Sequence, residues 1–140
     1  MQDAGDGIEL HGIETISRGV CRAGGYVLLC RPKGGGYSYL PGGHIEFGEK
    51  GAEALVREVR EELGLESEAG EFLGVVETAF TQRGIPHAEI SLVYRLEICG
   101  LPPPPGEVAA KEDWIEFVWW PVDDLKGANL LPPEMARHVV

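Results

Sequence analysis

Three glutamates stand close together in residues 57–63, which read REVREEL. On a helix, Glu58, Glu61 and Glu62 fall at positions i, i+3 and i+4, so they lie within about one turn on one side. Like charges at this spacing repel by roughly a few tenths of a kcal/mol per pair. Because Mg²⁺ prefers several hard oxygen ligands, the cluster is a candidate metal site.

A helix is predicted around these glutamates, from about residue 50 to residue 63, with Gly64 in the position that favours a left-handed residue. Apolar residues recur at a spacing of three to four and form a stripe to be buried. The carboxylates then centre well away from that stripe. Taken alone, the segment is more typical of a solvated helix face with salt bridges to Arg57 and Arg60. The stripe consists of Ala52, Leu55, Val56, Val59 and Leu63.

The overall composition limits the classes of partner. The chain of 140 residues suits one domain, and its net charge of −11 disfavours polymeric nucleic acid, which needs a basic stripe. An anionic substrate would need a bound cation to mediate. No apolar run is long enough for a membrane span, and the acidic N-terminus does not resemble a signal peptide. Three cysteines without CxxC spacing fit reduced thiols, with Cys21 and Cys30 as core residues, so we expect a cytoplasmic protein.

The loop before the helix extends the pattern. From Gly43 the chain reads GHIEFGEKGAEALVREVREELGL, which resembles the Nudix box of the Nudix hydrolases. Val59 and Leu65 fill the two aliphatic positions. The fixed positions of the box are Gly43, Glu49, Arg57, Glu58, Glu61, Glu62 and Gly64.

The resemblance implies a set of metal ligands. They are the carbonyl oxygen of Gly42 and the carboxylates of Glu58, Glu61 and Glu62, and the ion is Mg²⁺, with Mn²⁺ as the alternative. Two or three such ions would relieve the repulsion among the carboxylates. The guanidinium of Arg57 is a rigid fork that can hold a glutamate in one rotamer, and we expect it to orient Glu49.

The reaction implied by the family is hydrolysis of a pyrophosphate bond in a nucleoside diphosphate linked to a group X. Substrates of this kind include nucleotide sugars, dinucleotides and nucleoside triphosphates. No nucleophilic triad is suggested by spacing, so water is the simplest nucleophile. The general base is either a box glutamate or one in the later loop, where Glu112 is favoured. The predicted catalytic residues are Arg57, Glu58, Glu61 and Glu112.

The remaining elements follow from local signals. Strands are predicted within residues 13–31, around the turn RAGG, and at residues 72–80, 89–98 and 114–122. Residues 39–49 are predicted as a loop without regular structure, because of Pro41 and the glycine pair after it. Residues 99–113 are a long loop, and the tail carries one or two short helices. The resemblance implies an α+β fold, a Nudix-type α/β/α sandwich with a mixed central sheet, in a single domain over residues 1–140.

Substrate contacts are not assigned by the sequence. Five aromatic side chains could stack on a base, although each is expected in the core, and three arginines could meet phosphates. His44 is expected at the surface, and His87 and Glu89 at the core edge or in solvent. The aromatic residues are Tyr37, Tyr39, Phe80, Trp114 and Trp119, and the arginines are Arg18, Arg31 and Arg83.

Two other classes of protein agree less well with the intact box. A non-catalytic nucleotide-binding module on the same fold would be expected to have a broken box, and this box is intact. An isomerase of isoprenoid diphosphates would be expected to have a reactive cysteine and an altered box. We therefore expect an enzyme acting on a small nucleotide, as a monomer or homodimer.

Overall fold

The computed structural model of the protein describes residues 12–140 and contains two four-stranded sheets. The acidic N-terminus lies outside the described residues. The strands are β1 (Ile13–Val20), β2 (Arg22–Ala23), β3 (Tyr26–Pro32), β4 (Gly42–His44), β5 (Ser67–Gln82), β6 (Ile85–Ile98), β7 (Gly106–Val108) and β8 (Ile115–Pro121). The helices are α1 (Gly51–Leu63), α2 (Leu125–Ala128) and α3 (Ala136–Val139), with 3-10 turns at Val122–Asp124 and Pro133–Met135.

The two sheets differ in strand direction. In the first sheet, with the order β4-β1-β6-β5, β1 and β6 run parallel while the other pairs are antiparallel. The second sheet, with the order β2-β3-β8-β7, is antiparallel throughout. The predicted α+β class with a mixed sheet is confirmed.

Apolar residues are buried on both faces of β3, which explains why helices lie on both sides. Leu28 and Cys30 belong to one core cluster, which also contains Leu55 of α1. Leu29 belongs to the other cluster, together with Val139 of α3. Successive side chains of a strand point to opposite faces, so the continuous apolar run of β3 supplies both clusters.

Helix α1 carries the box and has defined ends. The backbone N–H of Lys50 donates to the Glu53 carboxylate at 2.9 Å at the start, and Gly64 ends the helix with φ 72°. The predicted buried stripe is partly wrong, because Ala54 is buried while Ala52 and Val56 are only half-buried.

Two predicted loops contain short strands. Gly42–His44 forms β4 against β1, contrary to the expectation for residues 39–49. A side chain at Gly42, which has φ 140°, would collide with the Ser17 carbonyl, so glycine permits the close pairing. The strand Gly106–Val108 lies in the second predicted loop and pairs with β8. Both strands are too short to leave a periodic signal in the sequence.

The other predicted elements are present with different bounds. The hairpin of β5 and β6 extends further than predicted, so its turn narrows to Arg83–Gly84. Cys21 and Cys30 are buried thiols, as predicted, and Cys99 is exposed. Among the described residues, no helix is long and apolar enough to cross a membrane.

Candidate active site

A cavity of about 800 Å³ opens beside helix α1. Glu58 and Glu62 line it from the helix, and Gly42 and Gly43 line it from β4. Glu61 is not among the lining residues. The other walls come from β1, the β5–β6 hairpin, the aromatic loop residues and the C-terminal segment 131–133. The structure therefore brings two of the three clustered glutamates to one cavity.

Glu62 is the buried member of the cluster. Its exposed fraction is 9%, which contradicts the expectation that all three carboxylates lie on a solvated side. Burial is the main cause that raises the pKa of Glu62 to about 8, and the adjacent charge of Glu58 adds to it. The positive charge of Arg18 lowers the pKa of Glu62 and partly offsets these two effects. The site therefore contains a carboxyl group that strongly resists ionisation.

Glu58 lies beside Gly43. A side chain at Gly43 would collide with the Glu58 carboxylate, so the glycine leaves the space that this carboxylate fills. The Glu58 side chain is 16% exposed and accepts a hydrogen bond from Arg57 Nη1 at 3.1 Å. The absence of a side chain at Gly43 therefore allows β4 to lie close to α1.

Arg57 connects the loop to the helix. Its Nε and Nη2 donate to the two oxygens of Glu49 at 2.7 and 3.0 Å, which is the contact expected from the sequence. Nη2 also donates to the His44 carbonyl at 3.0 Å. Hydrogen bonding to Arg57 lowers the pKa of Glu49 to about 2. All three guanidinium nitrogens of Arg57 therefore donate hydrogen bonds within the protein.

Glu61 lies outside the cavity wall. Its side chain is 55% exposed and sits 3.3 Å from Arg57 Nη1. Because a helix turns by about 100° per residue, Glu61 and Glu62 face different surroundings although they are neighbours in sequence.

The residues present fit a divalent cation. Glu58 and Glu62 offer hard oxygens side by side, and burial together with the charge of Glu58 raises the pKa of Glu62. Within residues 12–140, no three acidic, histidine or cysteine side chains are already gathered around one point. Arg57 donates hydrogen bonds to the carboxylates of Glu58 and Glu61.

Glu112 does not reach the main cavity. It lines a smaller cavity of about 280 Å³ on the loop before β8. The loop is tied to the helix, because the backbone N–H of Lys111 donates to the Glu62 carbonyl at 2.8 Å. The charge of Glu112 contributes to the raised pKa of Glu62. Glu112 is thus close enough for its charge to affect Glu62, but its side chain does not line the main cavity.

The aromatic side chains divide between core and cavity. Trp119 is buried, as expected. Tyr37, Phe80 and Trp114 line the cavity with exposed fractions of 38%, 40% and 53%, so the core interpretation is wrong for them. Tyr37 and Trp114 lie in loops, and Phe80 lies near the tip of the β5–β6 hairpin. Tyr39, half-buried, also lines the cavity.

The three candidate arginines have different environments. Arg18 lines the cavity, lies 5.1 Å from the centre of the Tyr39 ring and donates to the Leu40 carbonyl at 3.0 Å. Arg31 is paired with Glu116 at 2.6 Å, and Arg83 lies in the hairpin turn. Among the described residues, Arg18 is the only arginine or lysine in the cavity wall.

Several residues that line the cavity are not among the candidates named from the sequence. Thr78, Gln82 and Ser91 reach the cavity from β5 and β6. Strand alternation places Thr78 and Gln82 on the same face as Phe80, so this periodicity is the signal that could have found them. Glu89 and His44, which were named from the sequence, also line the cavity.

The chain belongs to the NUDIX family, because residues 15–139 match the NUDIX domain. The ADP-ribose pyrophosphatase of Methanocaldococcus jannaschii is 36% identical over 86 residues, which are 61% of this chain and 47% of that protein. The chain therefore spans about half the length of this relative.

Solved structures show the same fold. The crystal structure of a MutT NUDIX hydrolase from Burkholderia pseudomallei superposes with a TM-score of 0.67 at 26% identity, over 81% of this chain and 87% of that chain. That of a MutT protein from Methanosarcina mazei gives a TM-score of 0.70 at 23% identity, over 94% of both chains. At the latter identity the likeness shows the fold alone.

Proposed function

We propose that the protein is a metal-dependent hydrolase that cleaves the pyrophosphate bond of a nucleoside diphosphate linked to a group X. The observation that carries this proposal is the pair Glu58 and Glu62 facing one large cavity, with Glu62 buried and its pKa raised to about 8. Two adjacent carboxylates in that position are suited to bind a cation rather than an anion. A nucleotide substrate supplies the phosphates that such a cation requires.

The metal would be held by Glu58, Glu62 and the Gly42 carbonyl. Glu61, released from Arg57, would supply a third carboxylate. Mg²⁺ is the first candidate and Mn²⁺ the second. When bound, such a cation neutralises phosphate charge and makes water a better nucleophile.

The residues of the chain then have separate tasks. Arg57 fixes Glu49 and the loop, which holds the ligand carboxylates in place. Arg18 lies in the cavity wall, where its guanidinium would contact phosphate oxygens. In the reaction, the water oxygen bonds to one phosphorus, the bond from that phosphorus to the bridging oxygen breaks, and the water proton passes to a carboxylate. The products are a nucleoside monophosphate and phospho-X.

The proton acceptor is a box glutamate or Glu112. Glu58 already lies in the cavity, whereas Glu112 needs a movement of its loop to reach it. Of the two, the geometry favours Glu58. Turnover of Glu112→Gln within a few-fold of the wild type would support this assignment, and a loss near 10²-fold would favour the loop glutamate.

For the substrate, nucleotide sugars come first, because the relative from Methanocaldococcus jannaschii is an ADP-ribose pyrophosphatase. Dinucleotides and nucleoside triphosphates are the competing classes. The test is a panel of these compounds with Mg²⁺ or Mn²⁺, reading released phosphate and mononucleotide. Hydrolysis of a nucleoside diphosphate sugar that stops in excess EDTA is expected. Binding without turnover of any compound would instead indicate a non-catalytic nucleotide-binding module.

A further inference from the structure

Glu14 of β1 lies between two histidines from the neighbouring strands. One carboxylate oxygen is 2.6 Å from Nε2 of His44 on β4, and the other is 3.1 Å from Nδ1 of His87 on β6. A carboxylate accepts both bonds, so the facing ring nitrogens carry the protons. Glu14 therefore fixes the ring orientation of both histidines across three strands.

One of these rings supports a wall of the cavity. The His87 ring stacks on Phe80 with centroids 4.9 Å apart and an angle of 11° between the planes. Phe80 lines the cavity and keeps 40% of its surface exposed. Thr78 and Gln82, two residues away on either side, offer polar groups beside the ring. This is the composition expected for a subsite that receives a flat heteroaromatic ring.

The other histidine connects the wall to the box. His44 lines the cavity, and its backbone carbonyl accepts a hydrogen bond from Arg57 at 3.0 Å. A continuous series of contacts thus runs from Arg57 through His44, Glu14 and His87 to Phe80. These contacts connect the position of the Phe80 ring to that of helix α1, which carries Glu58 and Glu62.

We propose that Glu14 is a positioning residue that holds the stacked His87–Phe80 pair as the platform for the substrate's nucleobase. This inference rests on the proposed function for the nature of the substrate. It adds an orientation, with the base on the hairpin side of the cavity and the pyrophosphate beside Glu58 and Glu62. Trp114 and Tyr37 are then left to contact the group X.

The test uses adenosine in EDTA, because a neutral nucleoside needs neither metal nor turnover to bind. Affinity is measured by NMR titration. Phe80→Ala should weaken binding about 5- to 100-fold, the effect of losing one base-stacking partner. Phe72→Ala is the matched control, since Phe72 lies on the same strand, is 51% exposed and also contacts one aromatic ring. It should remain within twofold of the wild type.

Glu14→Ala should weaken adenosine binding by about 2- to 10-fold, as expected when a side chain leaves its preferred position. Its second readout is the His87 ring, whose Nδ1–H tautomer should be visible in ¹⁵N spectra of the wild type and altered in the variant. Thr15→Ala, an exposed neighbour on β1, is the control. If Glu14→Ala does not fold, Glu14→Gln retains the shape with weaker hydrogen bonds and should alter the same ring signal.

The outcomes separate the two proposals. Equal adenosine affinity in the wild type, Glu14→Ala and Phe80→Ala overturns the platform, whatever the enzyme hydrolyses. Adenosine binding that depends on Phe80 and Glu14, in a protein that cleaves no compound of the panel, supports the platform and removes the proposed reaction.

Discussion

Glu61 and Glu62 are neighbours in the same helix and have opposite environments. Glu61 is 55% exposed and paired with Arg57, while Glu62 is 9% exposed and faces the cavity beside Glu58. The pKa of Glu62 is raised to about 8. Arg57 lies beside the charge of Glu61, whereas burial and the charge of Glu58 oppose the ionisation of Glu62. The cavity side is therefore the one suited to bind a cation.

The largest expected effect is on turnover when the cavity pair is broken. Glu58→Gln should reduce kcat about 10²- to 10³-fold, because an amide is a poor Mg²⁺ ligand in a site that depends on charge. Steady-state kinetics with saturating Mg²⁺ provides the measurement.

The control for this variant is Glu53→Gln on the same helix. The Glu53 carboxylate accepts the capping bond from Lys50, and the amide oxygen of glutamine can accept it too. Its activity should stay within a few-fold of the wild type. Equal losses for the two variants would show that position on the helix does not matter.

Arg57→Lys should have the next largest effect. A lysine cannot reproduce the forked contact with Glu49, so the loop and the carboxylates proposed as metal ligands lose their orientation. A loss of about 10- to 100-fold in activity or metal affinity is expected, as for other residues that orient metal ligands. The readout is the Mg²⁺ concentration for half-maximal rate. Arg60→Lys, whose partner Glu66 is exposed, should leave that concentration unchanged.

Glu62→Gln should stabilise the metal-free protein at alkaline pH. The pKa of Glu62 rises from 4.5 to about 8 on folding, so between these values the folded chain holds a proton that the unfolded chain releases. Raising the pH therefore favours unfolding of the wild type. The variant lacks this loss, and its advantage should grow from near zero below pH 4.5 to about 1–3 kcal/mol above pH 8. Melting temperatures in EDTA should differ by about 2 to 10 °C.

Glu61→Gln sharpens that comparison, because removing an exposed charge paired with Arg57 should not stabilise the protein. Adding millimolar Mg²⁺ should reverse the order of wild type and Glu62→Gln, since the wild type gains more binding free energy. If Glu62→Gln melts below the wild type in EDTA at pH 8.5, the cost inferred for ionising the buried Glu62 carboxyl is absent.

The smallest effect is an acid transition at Glu49. Its pKa falls from 4.5 to about 2 on folding because Arg57 binds the carboxylate. This contribution to stability is complete above pH 4.5 and is lost as the pH falls toward 2. The difference in melting temperature between the wild type and Glu49→Gln should therefore shrink over this range. Glu46→Gln is the control variant, because it removes a more distant and exposed partner of Arg57 at 3.7 Å and leaves Glu49 in place.

Much of the site could be predicted because the box is a local pattern. The contact of Arg57 with Glu49 spans eight residues, within reach of one loop and one helix. The burial of Glu62 could not be predicted, since periodicity assigned it to the solvated side. The wall of the cavity was also missed, because Phe80 and Trp114 come from elements far apart in the chain, and both were expected in the core.

By itself, the sequence determined the order of the longer elements, the ends of helix α1 at Lys50 and Gly64, and the set of carboxylates available for a metal. These depend on backbone preferences and on spacing within one helix. Only the tertiary structure decided which of those carboxylates is buried, which aromatic rings face the cavity and how Glu14 joins three strands. Burial and pKa depend on what the other elements bring close, and that information is not contained in any local stretch of the chain.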